Sequence, residues 1–229
     1  MPIMKKTPIT KKTRITALAA LPLSAVLLSG CGQVKAGAAA LVGDDRISVN
    51  TLDRTVREWK PQFQADPQAG ATRGESSDQQ QMGTDVASES DIRATLASLV
   101  FLRVGDRAAK NYGVSPTGGD VDQAIALMDQ SPNSNAVSTT LAAGLPKERV
   151  RDVARFNAIQ LLLMDRFGWD HNPSSPTAQQ SMQLFDRALG DAARELKVSI
   201  NPRFGVFDPT KVTINPVVLR LSATESGVR

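Results

Sequence analysis

Apolar positions along this chain fall mainly into helical spacing. Leu52, Val56, Trp59 and Phe63 recur at intervals of four, three and four, with Asn50 or Thr51 placed to cap the helix they imply. Residues 90–112 predict a longer helix capped at Ser90. Ile92, Leu96, Leu99 and Val100 form its apolar face, widened by Leu102 and Val104. Val121, Ala124, Ile125 and Met128 mark a short helix, where Asp120 favours the first turn. Another short helix is expected from Asn135 to Ala143, stopped by Gly144. Pro146-Lys147-Glu148 opens the strongest helical segment, which runs to about Gly168. Its core face holds Val153, Phe156, Ile159, Leu163 and Phe167, while Leu161 and Leu162 add a second apolar side. A helix apolar on two sides belongs among other helices. The last helix begins at Thr177 and carries Met182, Phe185, Leu189, Ala192 and Leu196, with Gly190 weakening it slightly.

Period two replaces the helical spacing near both ends. Ala38 to Val42, then Gly43-Asp44-Asp45-Arg46, then Ile47-Ser48-Val49 read as two short strands around a tight turn. Val198-Ser199-Ile200 alternates like a strand, and a final extended piece covers Val212 to Val218. Bringing Val198–Ile200 back against Ala39–Val42 or Ile47–Val49 would join the chain ends in one small sheet. The expected fold class is therefore mostly α, with a small β-sheet formed by segments near the two ends. Low aromatic content agrees with a helical fold.

Residues 61–89 interrupt these patterns. Pro61, Pro67, Gly70, Gly74, Gln79-Gln80-Gln81 and Gly83 sit among Ser, Asp and Ala, and predict a disordered loop between helices.

The first 30 residues have the parts of an export leader. Lys5, Lys6, Lys11, Lys12 and Arg14 precede a short apolar stretch from Ile15 to Leu28, followed by Ser29-Gly30-Cys31. The stretch, 14 residues, is shorter than the roughly 20 that a membrane-spanning helix needs. An aliphatic residue, two small ones and then Cys is the pattern of lipoprotein processing. It predicts a signal peptide at 1–30, lipidation at Cys31 and a tether at 31–37. The alternative is an ordinary secretory leader with Cys31 merely near the cut. Two or more acyl chains would anchor the mature chain stably to membrane lipid, on the extracytoplasmic face of the cell membrane.

The leader also reverses the charge. The whole chain has 27 basic and 23 acidic residues, and five of the basic ones lie in the leader. The mature chain keeps 22 against 23, a net charge of −1, so basicity is no argument for nucleic acid. With Cys31 the lone cysteine, disulfides and thiolate zinc sites are excluded.

Candidate chemistry is sparse. His171, the single histidine, follows Asp170 between two helices and reads as a solvated loop residue. A catalytic triad, a three-histidine metal site, GxGxxG and GxxxxGK[ST] are all missing. Glu148 with Asp152, and Arg151 with Arg155, share helix faces and read as a solvated exterior. No cofactor, small-molecule substrate or enzymatic activity is expected. Phe204, Val206 and Phe207 cluster beyond the last helix. Either Phe204 or Val206 pins the tail to the core, or the three line an apolar peptide-binding groove.

Several segments carry a family resemblance: Ser29-Gly30-Cys31-Gly32, Gly37 to Val49, Tyr112-Gly113-Val114-Ser115 with Asp120-Val121, and Val198 to Asp208. Here the chain resembles actinobacterial lipoproteins with a SurA-type N-terminal domain, related to periplasmic chaperones and the PrsA foldases. The resemblance implies a helical domain at 38–209 whose terminal sheet joins the chain ends, then a tail at 210–229. It implies binding of unfolded or exported polypeptides. The alternatives are an adaptor lipoprotein with one protein partner, or a foldase related to peptidyl-prolyl isomerases. About 20 residues follow Asp208, far fewer than a parvulin domain needs, so isomerase activity is not carried over.

Overall fold

Strand β1 (Ala38–Val42) turns at Gly43 and Asp44 and pairs antiparallel with β2 (Asp45–Ser48). The computed structural model describes residues 36–75 and 86–217. The leader, Cys31 and most of the 31–37 tether lie outside them, as do residues 76–85 and 218–229.

Ser48 ends β2 and caps α1 (Val49–Gln64), its hydroxyl accepting from Thr51 N at 3.0 Å. The cap falls earlier than the apolar stripe suggests because strand and helix share that residue. Helix α1 runs through Pro61, where the expected loop should begin. An internal proline costs about 3 kcal/mol. Burial of Phe63 beyond it offsets that cost, for Phe63 stacks on Trp59 with ring centroids 5.0 Å apart.

A second correction to the expected 61–89 loop is α2 (Pro67–Arg73). Asp66 Oδ1 accepts from Ala69 N at 2.9 Å, Pro67 opens the helix, and Gly74 closes it at φ 85°. These are ordinary start and stop signals. The helix is short, and its stability comes from burying Ala69 beside Trp59, Phe63 and Leu141.

Helix α3 (Glu89–Asn111) is the central rod. Its cap is Ser88, not Ser90. Ser88 Oγ accepts from Asp91 N while Asp91 Oδ2 accepts from Ser88 N, both at 3.1 Å. Helix α4 (Gly118–Asp129) has the same reciprocal device between Thr117 and Asp120. Helix α5 (Ala136–Ala142) starts at Asn135, as its sequence indicates. A single 3-10 turn, Lys147–Arg149, precedes α6 (Val150–Arg166). Ser175 caps α7 (Pro176–Glu195). Gly190 of α7 is where the chain crosses it: a side chain there would meet the Pro209 carbonyl at 3.3 Å.

The chain then returns to its beginning. Strand β3 (Ser199–Ile200) pairs antiparallel with β1, Ala40 opposite Ile200, giving the sheet order β2-β1-β3. Asn201 extends the junction, its N donating to Ala39 O at 2.9 Å and its Nδ2 to Ala38 O at 3.0 Å. Gly43 N donates to Leu196 O at 2.8 Å, tying the first hairpin to the end of α7. Strands β4 (Val206–Asp208) and β5 (Thr213–Asn215) make a second antiparallel pair. Residues 210–217 therefore include a paired strand, with Val212 and Ile214 buried, as well as tail. The fold is mostly helical with a small sheet joining both ends.

The main core lies between α3, α6, α7 and the sheet. Leu96, Leu99 and Val104 meet Ile159, Leu163, Phe185, Ile47 and Ile200. Burying each large aliphatic or aromatic side chain contributes about 1.5–3 kcal/mol.

Candidate functional site

Small residues set the site up. Val121 and Ala124 of α4 pack on Ala154 and Ala158 of α6, which brings these helices close together. One end of the pair, with the start of α7, then carries larger side chains that do not close over one another. The result is an open groove of about 740 Å³. Ligand sites generally measure about 300–1,000 Å³.

Each of three helices contributes a methionine to its wall: Met128 from α4, Met164 from α6 and Met182 from α7. Leu127 and Leu161 extend it. Leu127 is 47% and Met182 38% exposed, so apolar surface faces water. The polar lining is amides. Asn157 Nδ2 donates to Met128 Sδ at 3.1 Å, and Gln160, Gln179 and Gln183 stand nearby.

Trp169 belongs to the loop between α6 and α7. Gly168 takes φ 88°, and Trp169 N donates to Met164 O at 3.0 Å, turning the indole back over the helix end. Its buried Nε1 has no hydrogen-bond partner. The loop is held by Asp170, whose Oδ1 accepts from Ser175 Oγ at 2.6 Å and Asn172 N at 3.1 Å. The Ser175 hydroxyl bond leads the causes holding the Asp170 carboxyl below its usual range.

Asp170 and His171, adjacent in sequence, therefore diverge. The His171 ring lies tilted against Trp169, centroids 4.9 Å apart, and its Nε2 lies 3.6 Å from Asp165 Oδ1. A smaller concavity of about 310 Å³ opens there, lined by Asp120, Asp165 and His171. Leu127, Leu161 and Trp169 line both spaces, so an apolar groove and an acidic concavity lie side by side across these side chains as a divided trough.

The sequence-derived trio lies elsewhere. Phe204 is 9% exposed in the main core, and its carbonyl accepts from Arg93 Nε at 3.2 Å. Phe207 packs half-buried on the same core, while Val206 is 59% exposed on β4. Of the two readings of this cluster, Phe204 as the pin of the C-terminal segment fits the geometry. None of the three lines the trough.

The expected solvated exterior of α6 is knit to its neighbours. Arg151 pairs with Asp122 of α4 at 2.8 Å, and Arg155 with Asp106 of α3 at 3.0 Å. Exposed pairs of this kind contribute about 0–1 kcal/mol each. Among the described residues no three His, Cys, Asp or Glu side chains converge as metal ligands, and no helix is long and apolar enough to cross a membrane.

Only a few groove residues stand out in the sequence, and those fall on predicted apolar faces. Met128 and Met182 sit on apolar stripes, and a stripe reads the same whether it meets a neighbour or water. The usable signal was the second apolar side of α6, Leu161 and Leu162. No family model, curated protein or solved structure matches this chain.

Proposed function

We propose that this chain is a chaperone-like polypeptide-binding lipoprotein. Acylated Cys31 holds it on the extracytoplasmic face of the cell membrane, and its domain is of the SurA N-terminal type. The observation that supports this reading is the methionine-walled groove. Thioether side chains are flexible and polarisable, so one surface accepts aliphatic and aromatic partners of different shape. Amides spaced among them offer hydrogen bonds to a peptide backbone without selecting its side chains. Such a surface binds segments rather than one sequence. A lipid anchor raises the effective concentration of the groove where exported chains emerge.

The test uses residues 32–229 with an unfolded exported protein, followed by light scattering. Suppression of aggregation near equimolar ratio is expected. The double variant Leu127→Asn/Met182→Asn changes two exposed groove residues and should lose it. No suppression, together with no binding to peptide arrays, overturns the proposal.

A further inference from the structure

The trough is asymmetric in charge, and the asymmetry names a class of ligand. Its larger end is lined by aliphatic, thioether, indole and amide groups. Its smaller end has two carboxylates, Asp120 and Asp165, and neither end is lined by a lysine or arginine. Nearby acidic groups that bridge to other elements are already engaged: Asp122 pairs with Arg151, and Asp170 is bonded to Ser175. Asp120 is half-buried at the start of α4 and commits Oδ2 to the Thr117 amide and hydroxyl. Asp165 has a side chain 44% exposed and meets His171 only at 3.6 Å, beyond hydrogen-bond length.

We infer that the trough selects apolar polypeptide segments that carry lysine or arginine at one end, the basic end lying beside Asp120 and Asp165. This rests on the polypeptide-binding reading above and sharpens it. Apolar side chains of the segment cover Leu127, Met182 and Leu161, and the backbone meets the amides. A cation at the other end gains Coulomb attraction from two carboxylates, beside which His171 is the one basic side chain of the lining. An acidic end would meet repulsion there. Charge matched in this way contributes chiefly to selectivity, while apolar contact supplies affinity.

The experiment uses the full chain in phosphatidylcholine nanodiscs, whose neutral surface does not attract basic peptides, with empty nanodiscs as the blank. Fluorescent peptides share one apolar core and end in Lys-Lys, Gln-Gln or Glu-Glu. Anisotropy titration should show the Lys-Lys peptide binding about fivefold more tightly than Gln-Gln, the scale of one favourable exposed ion pair. The Glu-Glu peptide should bind weakest. The Lys-Lys advantage over Gln-Gln should shrink in Asp165→Asn and at high salt. Equal affinity for Lys-Lys and Gln-Gln overturns charge selection and leaves the groove as a neutral polypeptide site. Failure of all three peptides to bind overturns both.

Discussion

Arg73 Nη1 lies 3.1 Å from Asp91 Oδ1, joining the end of α2 to the first turn of α3. Lys60 Nζ reaches the other carboxylate oxygen, also at 3.1 Å, so one side chain ties three helices together. The Arg73 guanidinium also sits 5.0 Å over the ring centroids of Trp59 and Phe63. Burial alone would raise the Asp91 carboxyl, but bonds from the Ser88 amide and from Lys60 outweigh it and hold it below its usual range.

Replacing Asp91 by Ala should therefore destabilise the fold by about 2 kcal/mol, because it takes a shared carboxylate from two half-buried cations, leaving Arg73 only Glu75 at 3.8 Å, and removes one half of a capping box. Urea unfolding at pH 7 measures this. The lowered carboxyl also sets a sign in pH. Its contribution is complete above the ordinary carboxylate value of 3.8 and is lost as pH falls from there through the lower folded value. The gap between wild type and variant should narrow below pH 3.8, and a constant gap would show that Asp91 acts only through packing.

Trp59 Nε1 donates to the buried Leu141 carbonyl at 2.7 Å, across a contact that otherwise has only apolar groups. Trp59→Phe keeps an aromatic ring there but removes one of the carbonyl's donors, leaving the Gly144 amide at 2.9 Å. A loss of about 1 kcal/mol is expected by denaturant titration. An unchanged midpoint would mean that the Gly144 amide alone satisfies the carbonyl.

At Gly105, α3 lies directly against the Phe156 ring of α6. A methyl group there would fall 2.5 Å from Phe156 Cδ2. Phe156 is packed between Phe101 at 4.5 Å and Phe185 at 6.1 Å, so its ring has little room to yield. Alanine gains about 1 kcal/mol of helix propensity, but overpacking costs about 1–3 kcal/mol. Gly105→Ala should lower the thermal midpoint, and a rise would show that the ring swings aside.

Cys31→Ser should leave the chain unprocessed, or release it from the membrane fraction without a fatty-acid label. Continued labelling of that variant with an alkyne fatty acid would remove lipid anchoring from the proposal.

Local patterning carried most of the helices because the information is local. The Leu52-to-Phe63 stripe, the Asn135 start and the Ala38–Val49 hairpin each depend on residues within a few positions. The loop expected at 61–89 gives way to helix at 61–64 and 67–73 for the same reason. Pro61 and Pro67 look like breaks when read alone, yet one lies inside α1 and the other opens α2. What holds α2 is Leu141 and Asp91, many residues away, and neither is legible in the local composition.

The return of Val198–Ile200 to the N-terminal hairpin could be argued from alternation, but two strands offered similar partners. Packing chose β1, because Ala39 and Ala38 carbonyls meet Asn201 there and β2 occupies the opposite edge. The groove belongs to the same class of outcome. Periodicity established that α4, α6 and α7 have apolar faces. Whether those faces close or leave a gap depends on how near the Ala154 and Ala158 contact draws α4, and on where Gly168 turns Trp169. These are distances between elements, which a one-dimensional pattern does not contain.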